Sequence, residues 1–380
     1  MKVLVSGCAG FIYSNLCEYL LEQDPTCEII GIDNLSTGKM SNMDGFINNP
    51  RFRFFKRDLS DKKWNVITRV NISNQSIEVI EDIPTDINTI FCGHSLADVL
   101  PSIKNPDAYF QSSVVGTHNL LEWMRKNEIK NIVYAASSSC YGDINILPTP
   151  ESDGGILGIN ITADYIKTNK LLAPYALYKY LTEREIEYFC KEYNIDAISL
   201  RYFNVYGPRM AKSGSSSYGM VSAIFLSQYF HCHPLTRIGD GNQKRDFIYV
   251  KDVCKLNLWA ATNLLEKKNQ LKYDHYNVAS GIPTSINELI DLINNGENVL
   301  DLPERTNEAR ITHGDISKLK KEYFRTTGEE LELTSIKEGI DWLKKNESEY
   351  FKNVEFPKYI EKTKDIRGNE INGHYKVTIS

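Results

Sequence analysis

The chain has 380 residues and a net charge of −5 at pH 7, with 44 basic and 49 acidic side chains interspersed along it. That length buries a large core in one big domain or two intertwined ones, and the charge balance suits neither a nucleic-acid surface nor an anionic membrane as partner. No apolar run reaches the ~18 residues of a membrane-spanning helix, the first strand pattern starts at Lys2 and leaves no room for a signal peptide, and the eight cysteines contain no Cys-x-x-Cys pair. The cysteines read as reduced, mostly core thiols, and the expectation is a cytoplasmic globular protein.

Lys2–Ser6 reads as a strand, Gly7-Cys8-Ala9-Gly10-Phe11-Ile12-Tyr13 as a glycine turn, and Ser14–Glu22 as a helix. This is the setting of a dinucleotide site: N–H groups at a helix N-terminus face the pyrophosphate, and glycines let it approach. Gly7, Gly10, Phe11 and Ile12 are the residues placed there. Tyr13 stands where a third glycine would let helix and strand pack tightly, and an ordinary βα turn is the competing reading. The second strand, Glu28–Ile32, ends at Asp33, positioned for a carboxylate that grips the adenosine ribose hydroxyls and repels a 2′-phosphate, so NAD is favoured over NADP. The third, Phe52–Lys56, leads to Asp58 and Leu59, where a polar group meets adenine. The fourth, Thr89–Cys92, runs into Gly93-His94-Ser95-Leu96-Ala97. His94 invites the role of general base, but a turn histidine making local hydrogen bonds is the plainer reading.

Ser112–Asn127 has the pattern of an amphipathic helix, with Val115, Leu120, Leu121 and Trp123 on its buried side. The fifth strand, Asn131–Ala135, ends in Ser137-Ser138-Ser139-Cys140-Tyr141-Gly142. Small hydroxyl residues at the carboxyl end of a parallel strand lie where such sheets bind ligands; a solvated turn is the alternative. Pro174-Tyr175-Ala176-Leu177-Tyr178-Lys179 opens the next helix, and Tyr175 and Lys179, four residues apart, stack on one face of it. An ammonium beside a phenol favours the phenolate and lowers a pKa of ~10, which makes Tyr175 a candidate base near neutral pH. By itself the spacing is met by chance on many helices. The glycine turn, Asp33 and the serine cluster, all upstream and in that order, turn the reading towards a dinucleotide-dependent sugar enzyme.

The sixth strand, Asp196–Leu200, runs into Arg201–Pro208. Strand–helix alternation through residue 200 predicts an α/β fold with a Rossmann-type doubly wound parallel sheet. Beyond it, Arg237–Arg245 is glycine-rich and polar, Asp246–Val250 is a strand candidate, and Ile286–Asn294 is a helix with Ser285 as N-cap. Residues 344–380 are rich in lysine and glutamate and read as a tail or peripheral cover. No metal-ligand cluster and no internal repeat is present.

Together these stretches resemble the extended short-chain dehydrogenase/reductase family, in its nucleotide-sugar branch, over residues 1 to about 343. Val5-Ser6-Gly7-Cys8-Ala9-Gly10-Phe11-Ile12 is similar to the family's glycine motif, and Asp33-Asn34-Leu35-Ser36-Thr37-Gly38 matches the motif after its second strand nearly letter for letter. Ser137–Gly142, Pro174-Tyr175-Ala176 with Lys179, Arg201–Arg209 and Arg245–Val250 are similar to further family blocks, in the right order. Within the branch the chain looks most like the NDP-hexose 4-epimerases, including those acting on UDP-N-acetylglucosamine. The related 4,6-dehydratases carry Thr-Asp-Glu where this chain has Ser137-Ser138-Ser139, and the UDP-glucuronate decarboxylases usually have a glutamate in that run; neither acid is present here.

The resemblance implies a dinucleotide domain of residues 1–203 plus about 230–258, and a smaller C-terminal α+β substrate domain of about 204–229 plus 259–343. It implies tightly held NAD as cofactor, with Asn34, Ser36, Thr37, Gly38, Leu96, Ala97 and Tyr202 joining Gly7, Gly10, Phe11, Ile12, Asp33, Asp58, Leu59, Tyr175 and Lys179 around it. Tyr175 takes the proton of the sugar 4-hydroxyl as hydride leaves C4 for NAD. Ser137 bonds the same oxygen with Ser139 assisting, and Lys179 binds the nicotinamide ribose and depresses the Tyr175 pKa. The 4-keto sugar turns over and regains hydride on its other face. Ser138, Asn204, Arg245 and Arg305 fall to the nucleotide-sugar. Thr312, three positions before Asp315, borders the pocket for the C2 substituent and is small, as in forms that accept N-acetylated hexosamines. A homodimer paired through Ser112–Asn127 and Tyr175–Tyr193 is also implied. Competing readings are another enzyme of the branch (a dehydratase, a reductase, or an epimerase at another carbon) and a non-catalytic NAD-binding protein. The chain departs from the family at Tyr13, at Ser113 where an asparagine is usual, at Arg305-Thr306-Asn307-Glu308 which lacks a glycine, and in a long Ser137–Tyr175 interval whose excess lies near Gly154–Leu172.

Overall fold

Residues with alternating partners on two faces build the central sheet. In β1 (Lys2–Ser6), Val3 and Val5 are buried in one apolar layer and Leu4 in the other; Ile29 against Ile30 and Ile32 in β2 (Glu28–Asp33) divide in the same way. A strand's side chains alternate between faces, so both faces of such a sheet are covered. β3 (Phe52–Lys56), β4 (Thr89–Cys92), β5 (Asn131–Ser137), β6 (Asp196–Tyr202) and β7 (Tyr273–Val278) complete it. The order is β7-β6-β5-β4-β1-β2-β3, every neighbour parallel. This computed structural model describes residues 1–380 apart from 66–67, 73–74, 80–82, 143–145, 152–172, 211–219, 268–271, 305–308, 355–357, 360–376 and 379–380.

Helices Phe11–Gln23 and Val250–Leu265 pack together on one face, and Gly116–Lys126 and Pro174–Glu192 lie on the other. The expected Rossmann-type sheet is therefore present, with its chain reversal between β1 and β4, the place where ligands sit above carboxyl strand ends. The remainder forms a smaller lobe. Lys244–Tyr249 pairs in parallel with Asn204–Tyr206 and antiparallel with Pro283–Ser285, and Leu235–Ile238 pairs with Val299–Leu302. Ser285 caps Ile286–Asn294 as expected: its hydroxyl accepts the Glu288 N–H at 3.1 Å, and the Glu288 carboxylate accepts the Ser285 N–H at 2.6 Å.

Two differences from the sequence reading stand out. Tyr273–Val278, expected in the substrate domain, is the seventh strand of the large sheet. The helix expected at Ser112–Asn127 begins earlier, as Pro106–Phe110, and passes through a π-turn at Gln111–Val115 into Gly116–Lys126. Of the stretch read as a tail or peripheral cover, the described part fits the second: Ser348–Lys352 is a helical turn whose Phe351 is fully buried, its ring stacked 6.2 Å from Phe230. The 154–172 excess and Arg305 lie outside the described residues. Among the described residues no helix is long and apolar enough to cross a membrane, and no group of three metal-binding side chains occurs.

Candidate active site

A cleft of about 680 Å³ runs over the carboxyl ends of the strands into the smaller lobe. Its floor at one end is the glycine turn. Gly7 has φ +77°, and a Cβ there would lie 2.7 Å from the Gly93 carbonyl oxygen, so this position admits no side chain. Gly10 is the N-cap of Phe11–Gln23 and offers no capping side chain, which leaves the first helical N–H groups to a ligand. Asp33 is buried at the end of β2, where its carboxylate accepts the Ala9 N–H at 3.0 Å and the Leu35 N–H at 2.7 Å. Burial raises its pKa while those two bonds pull the other way. Asn34 donates to Asp58 at 2.9 Å. The turn, the uncapped helix and the carboxylate fit a dinucleotide.

Ser137 ends β5 and caps the short turn Ser138–Tyr141. Its oxygen accepts the Ser139 N–H at 3.2 Å and the Ser139 hydroxyl at 2.9 Å. A serine hydroxyl has one proton to give, so the proton of Ser137 remains for a neighbour. Tyr175 is that neighbour: burial pushes its phenol above the ordinary value, and the hydrogen bond from Ser137 pulls it down. Pro174 starts the helix, the Tyr175 N–H donates to Ser102 Oγ at 3.2 Å, and the Tyr175 ring meets Tyr109 edge-on with centroids 6.3 Å apart.

Lys179, one turn on, is buried. It donates to the Ala135 carbonyl at 2.7 Å and lies 5.1 Å from the centre of the Tyr134 ring. Burial brings its pKa down to about 8. The spacing of four does bring Lys179 and Tyr175 to one wall, but the expected depression of the phenol is corrected here: desolvation is the larger effect, and the phenol moves up. His94 makes the local bonds expected of a turn histidine, to Ser6 Oγ at 3.0 Å and Thr117 Oγ1 at 3.5 Å. Burial takes its pKa to about 3, which leaves it neutral at pH 7.

In the smaller lobe, Asn204 donates to Thr312 Oγ1 at 3.0 Å and to the Asp246 carbonyl at 3.1 Å, while Arg245 donates to the Lys244 carbonyl at 2.9 Å. Gly7, Gly10, Phe11, Ile12, Asp33, Asn34, Ser36, Thr37, Asp58, Leu59, Ala97, Ser137, Ser138, Ser139, Tyr175, Lys179, Tyr202, Asn204, Arg245 and Thr312 all line this one cleft. Gly38 and Leu96 are not among its lining residues. A Cβ on Gly38 would meet Ala9 at 2.9 Å, so its contribution is to seat the turn, and Leu96 has its N–H held by Ser112 Oγ at 3.1 Å. Ser112 was missed. It also donates to the His94 carbonyl at 3.1 Å, clasping the loop after β4 from the π-turn. A π-turn leaves no periodic signal, and π-turns recur at functional sites. Lys39, Arg209, Phe225 and Gln243 also line the cleft without having been singled out.

The profile of the NAD dependent epimerase/dehydratase family matches residues 3–279. A Methanocaldococcus jannaschii protein, provisionally named UDP-glucose 4-epimerase, is 34% identical over 351 residues, covering 90% of this chain and 99% of its own length. Two solved structures share the fold at TM-score 0.70. One is a UDP-N-acetylglucosamine 4-epimerase from Methanobrevibacter ruminantium in complex with UDP-N-acetylmuramic acid, 28% identical over 90% of this chain and 98% of that one. The other is a Thermotoga maritima UDP-glucose 4-epimerase with UDP-glucose, 26% identical over 92% and 98%.

Proposed function

This chain belongs to the NAD-dependent epimerase/dehydratase family, and from that premise we propose that it is a nucleotide-sugar 4-epimerase acting on a UDP-hexose or UDP-N-acetylhexosamine. The observation that carries the proposal is one cleft with the dinucleotide turn at one end, Asn204, Arg245 and Thr312 at the other, and Ser137, Tyr175 and Lys179 between them. The Ser137-Ser138-Ser139 run holds no carboxylic acid, which speaks against a dehydratase in the same family.

The cofactor is NAD, which when bound supplies a hydride acceptor and donor at one sugar carbon. The chain's own residues do the rest. Gly7, Gly10, Phe11 and Ile12 cradle the pyrophosphate, and Asp33 takes the ribose hydroxyls. Tyr175 Oη accepts the proton of the sugar 4-hydroxyl. The hydroxyl of Ser137, with its oxygen already engaged by Ser139, directs its proton to the oxygen on which charge develops. Lys179 is a buried cation fixed by Ala135 and the face of Tyr134, placed to bind the nicotinamide ribose. Arg245 and Arg305 are the guanidinium partners for the diphosphate.

The sugars named for the two structural relatives differ at C2, and Thr312 supports the N-acetylated class. It is small, lines the cleft and bonds Asn204. Thr312→Tyr is expected to reduce turnover of UDP-N-acetylglucosamine far more than that of UDP-glucose, because overpacking a pocket costs ~1–3 kcal/mol or more. Equal loss on both donors would show that Thr312 does not border the C2 substituent.

The functional unit is proposed to be a homodimer. Phe110, Leu181, Tyr188 and Tyr193 are exposed on the two helical segments Pro106–Lys126 and Pro174–Glu192 and the residue that follows, and a four-helix contact would cover them. Sedimentation at micromolar concentration is expected to give twice the 43.4 kDa chain mass, and a mass near one chain rules the dimer out.

A further inference from the structure

The departure at Tyr13 has a counterpart on the next strand. Tyr13 is 3% exposed, yet it lines the cleft from beneath. Its ring lies flat against Gly93, the residue after β4: a Cβ built on Gly93 would fall 2.4 Å from Tyr13 Cε2 and 2.5 Å from Cδ2, closer than any real contact. Gly93 is wedged from its other side too, since its carbonyl oxygen is the atom 2.7 Å from the Cβ that Gly7 lacks. Its N–H is tied to β1 by the Ser6 carbonyl at 3.2 Å and Ser6 Oγ at 3.1 Å. Gly93 is therefore packed on two sides and tied to β1 through its N–H. At the far end of the ring, Tyr13 Oη meets Tyr202 Oη at 3.4 Å, and the Tyr202 hydroxyl is held in turn by Asn257 at 2.8 Å.

We infer that Tyr13 and Gly93 are a matched pair, a knob in a notch, in which the ring does the work of spacing helix and strand that a third glycine would otherwise do, and that Tyr13 is a positioning residue setting the Gly7 turn and Tyr202 for the dinucleotide. This inference rests on the reading of the cleft as a dinucleotide site.

The test is dinucleotide content per chain, measured after denaturing purified full-length protein, with UDP binding to the other lobe as a control for folding. Gly93→Ala is expected to lower occupancy about tenfold or more, because overpacking a rigid contact displaces the turn. Tyr13→Ala in the Gly93→Ala background is expected to recover most of it, since the added methyl then enters the space the ring left. Tyr13→Phe is expected to stay within about twofold of wild type, because the ring and not the hydroxyl fills the notch. Wild-type occupancy in Gly93→Ala, a double variant no better than Gly93→Ala, or a Tyr13→Phe loss as large as that of Gly93→Ala would each overturn the pairing. A wild type that releases no dinucleotide and takes none up on titration overturns the dinucleotide reading itself.

Discussion

Tyr175→Phe lowers turnover roughly 10²–10⁴-fold and leaves the dinucleotide bound. The substitution removes the phenol oxygen that the serine cluster serves: Ser137 bonds it, and Ser139 bonds Ser137. The ring, packed edge-on against Tyr109, stays where it is. In the proposed site the dinucleotide is held chiefly by the glycine turn and Asp33, which the change does not touch, so its retention is expected. The pH profile carries a second signature. Burial holds the Tyr175 phenol above its ordinary value, so the basic form gains ground as pH rises and the wild-type rate climbs on its acid limb. The phenylalanine variant lacks that limb. A variant that keeps more than about a tenth of the wild-type rate would remove Tyr175 from the role of base.

Glu183→Leu destabilises the fold by about 3–5 kcal/mol. Glu183 lies one turn beyond Lys179 on the helix that carries Tyr175, and Arg201 is on β6; both side chains are fully buried. Arg201 Nη2 donates to Glu183 Oε1 at 2.6 Å, Tyr273 donates to the same oxygen at 2.7 Å, and Arg201 Nη1 donates to Tyr141 at 2.9 Å. Burial alone would raise the Glu183 pKa; the Arg201 guanidinium overrides it and holds the carboxyl well below its usual range. A carboxyl depressed in the folded state contributes stability above its unfolded pKa of ~4.3, and that contribution is lost as pH falls through the lower folded value. Leucine strands a dry guanidinium. The double variant Glu183→Leu with Arg201→Met removes both charges and is expected to recover most of the loss, since a buried pair replaced by apolar groups is often near neutral. Urea denaturation reads both variants. A single variant within 1 kcal/mol of wild type would show that the pair does not anchor the catalytic helix.

Much of this was legible in the sequence, for physical reasons that can be named. β1, β2 and β4 are short apolar runs bounded by polar residues, and Ser285 with Glu288 three positions on is a local capping signal, so each declared itself without its tertiary partners. The same Ser-x-x-Glu signal at Ser335 and Glu338 caps Ile336–Asn346 and was passed over. β7 did not declare itself: Tyr-Asp-His-Tyr-Asn-Val is half polar, because Asp274 and Asn277 are spent on Tyr276, Lys318, Thr149 and Asp315 rather than on solvent. The Arg201–Glu183 pair, the Tyr13–Gly93 notch and the clasp by Ser112 join residues far apart in the chain, and no local pattern marks them. The placement of Tyr175 and Lys179 on one wall followed from spacing. The direction of the phenol's shift did not, because desolvation depends on everything packed around it.

Epimerisation by internal hydride return at C4 of a UDP-sugar requires neither added dinucleotide nor hydrogen from solvent. The direct measurement is incubation of the purified protein, with no added dinucleotide, with UDP-N-acetylglucosamine and separately with UDP-glucose in deuterated water, with the products followed by proton NMR. An equilibrium mixture with the C4 epimer is expected, with no deuterium at C4 and no net consumption of reduced dinucleotide. A stable 4-keto-6-deoxy product, deuterium at C4, or no conversion of any UDP-hexose would contradict it.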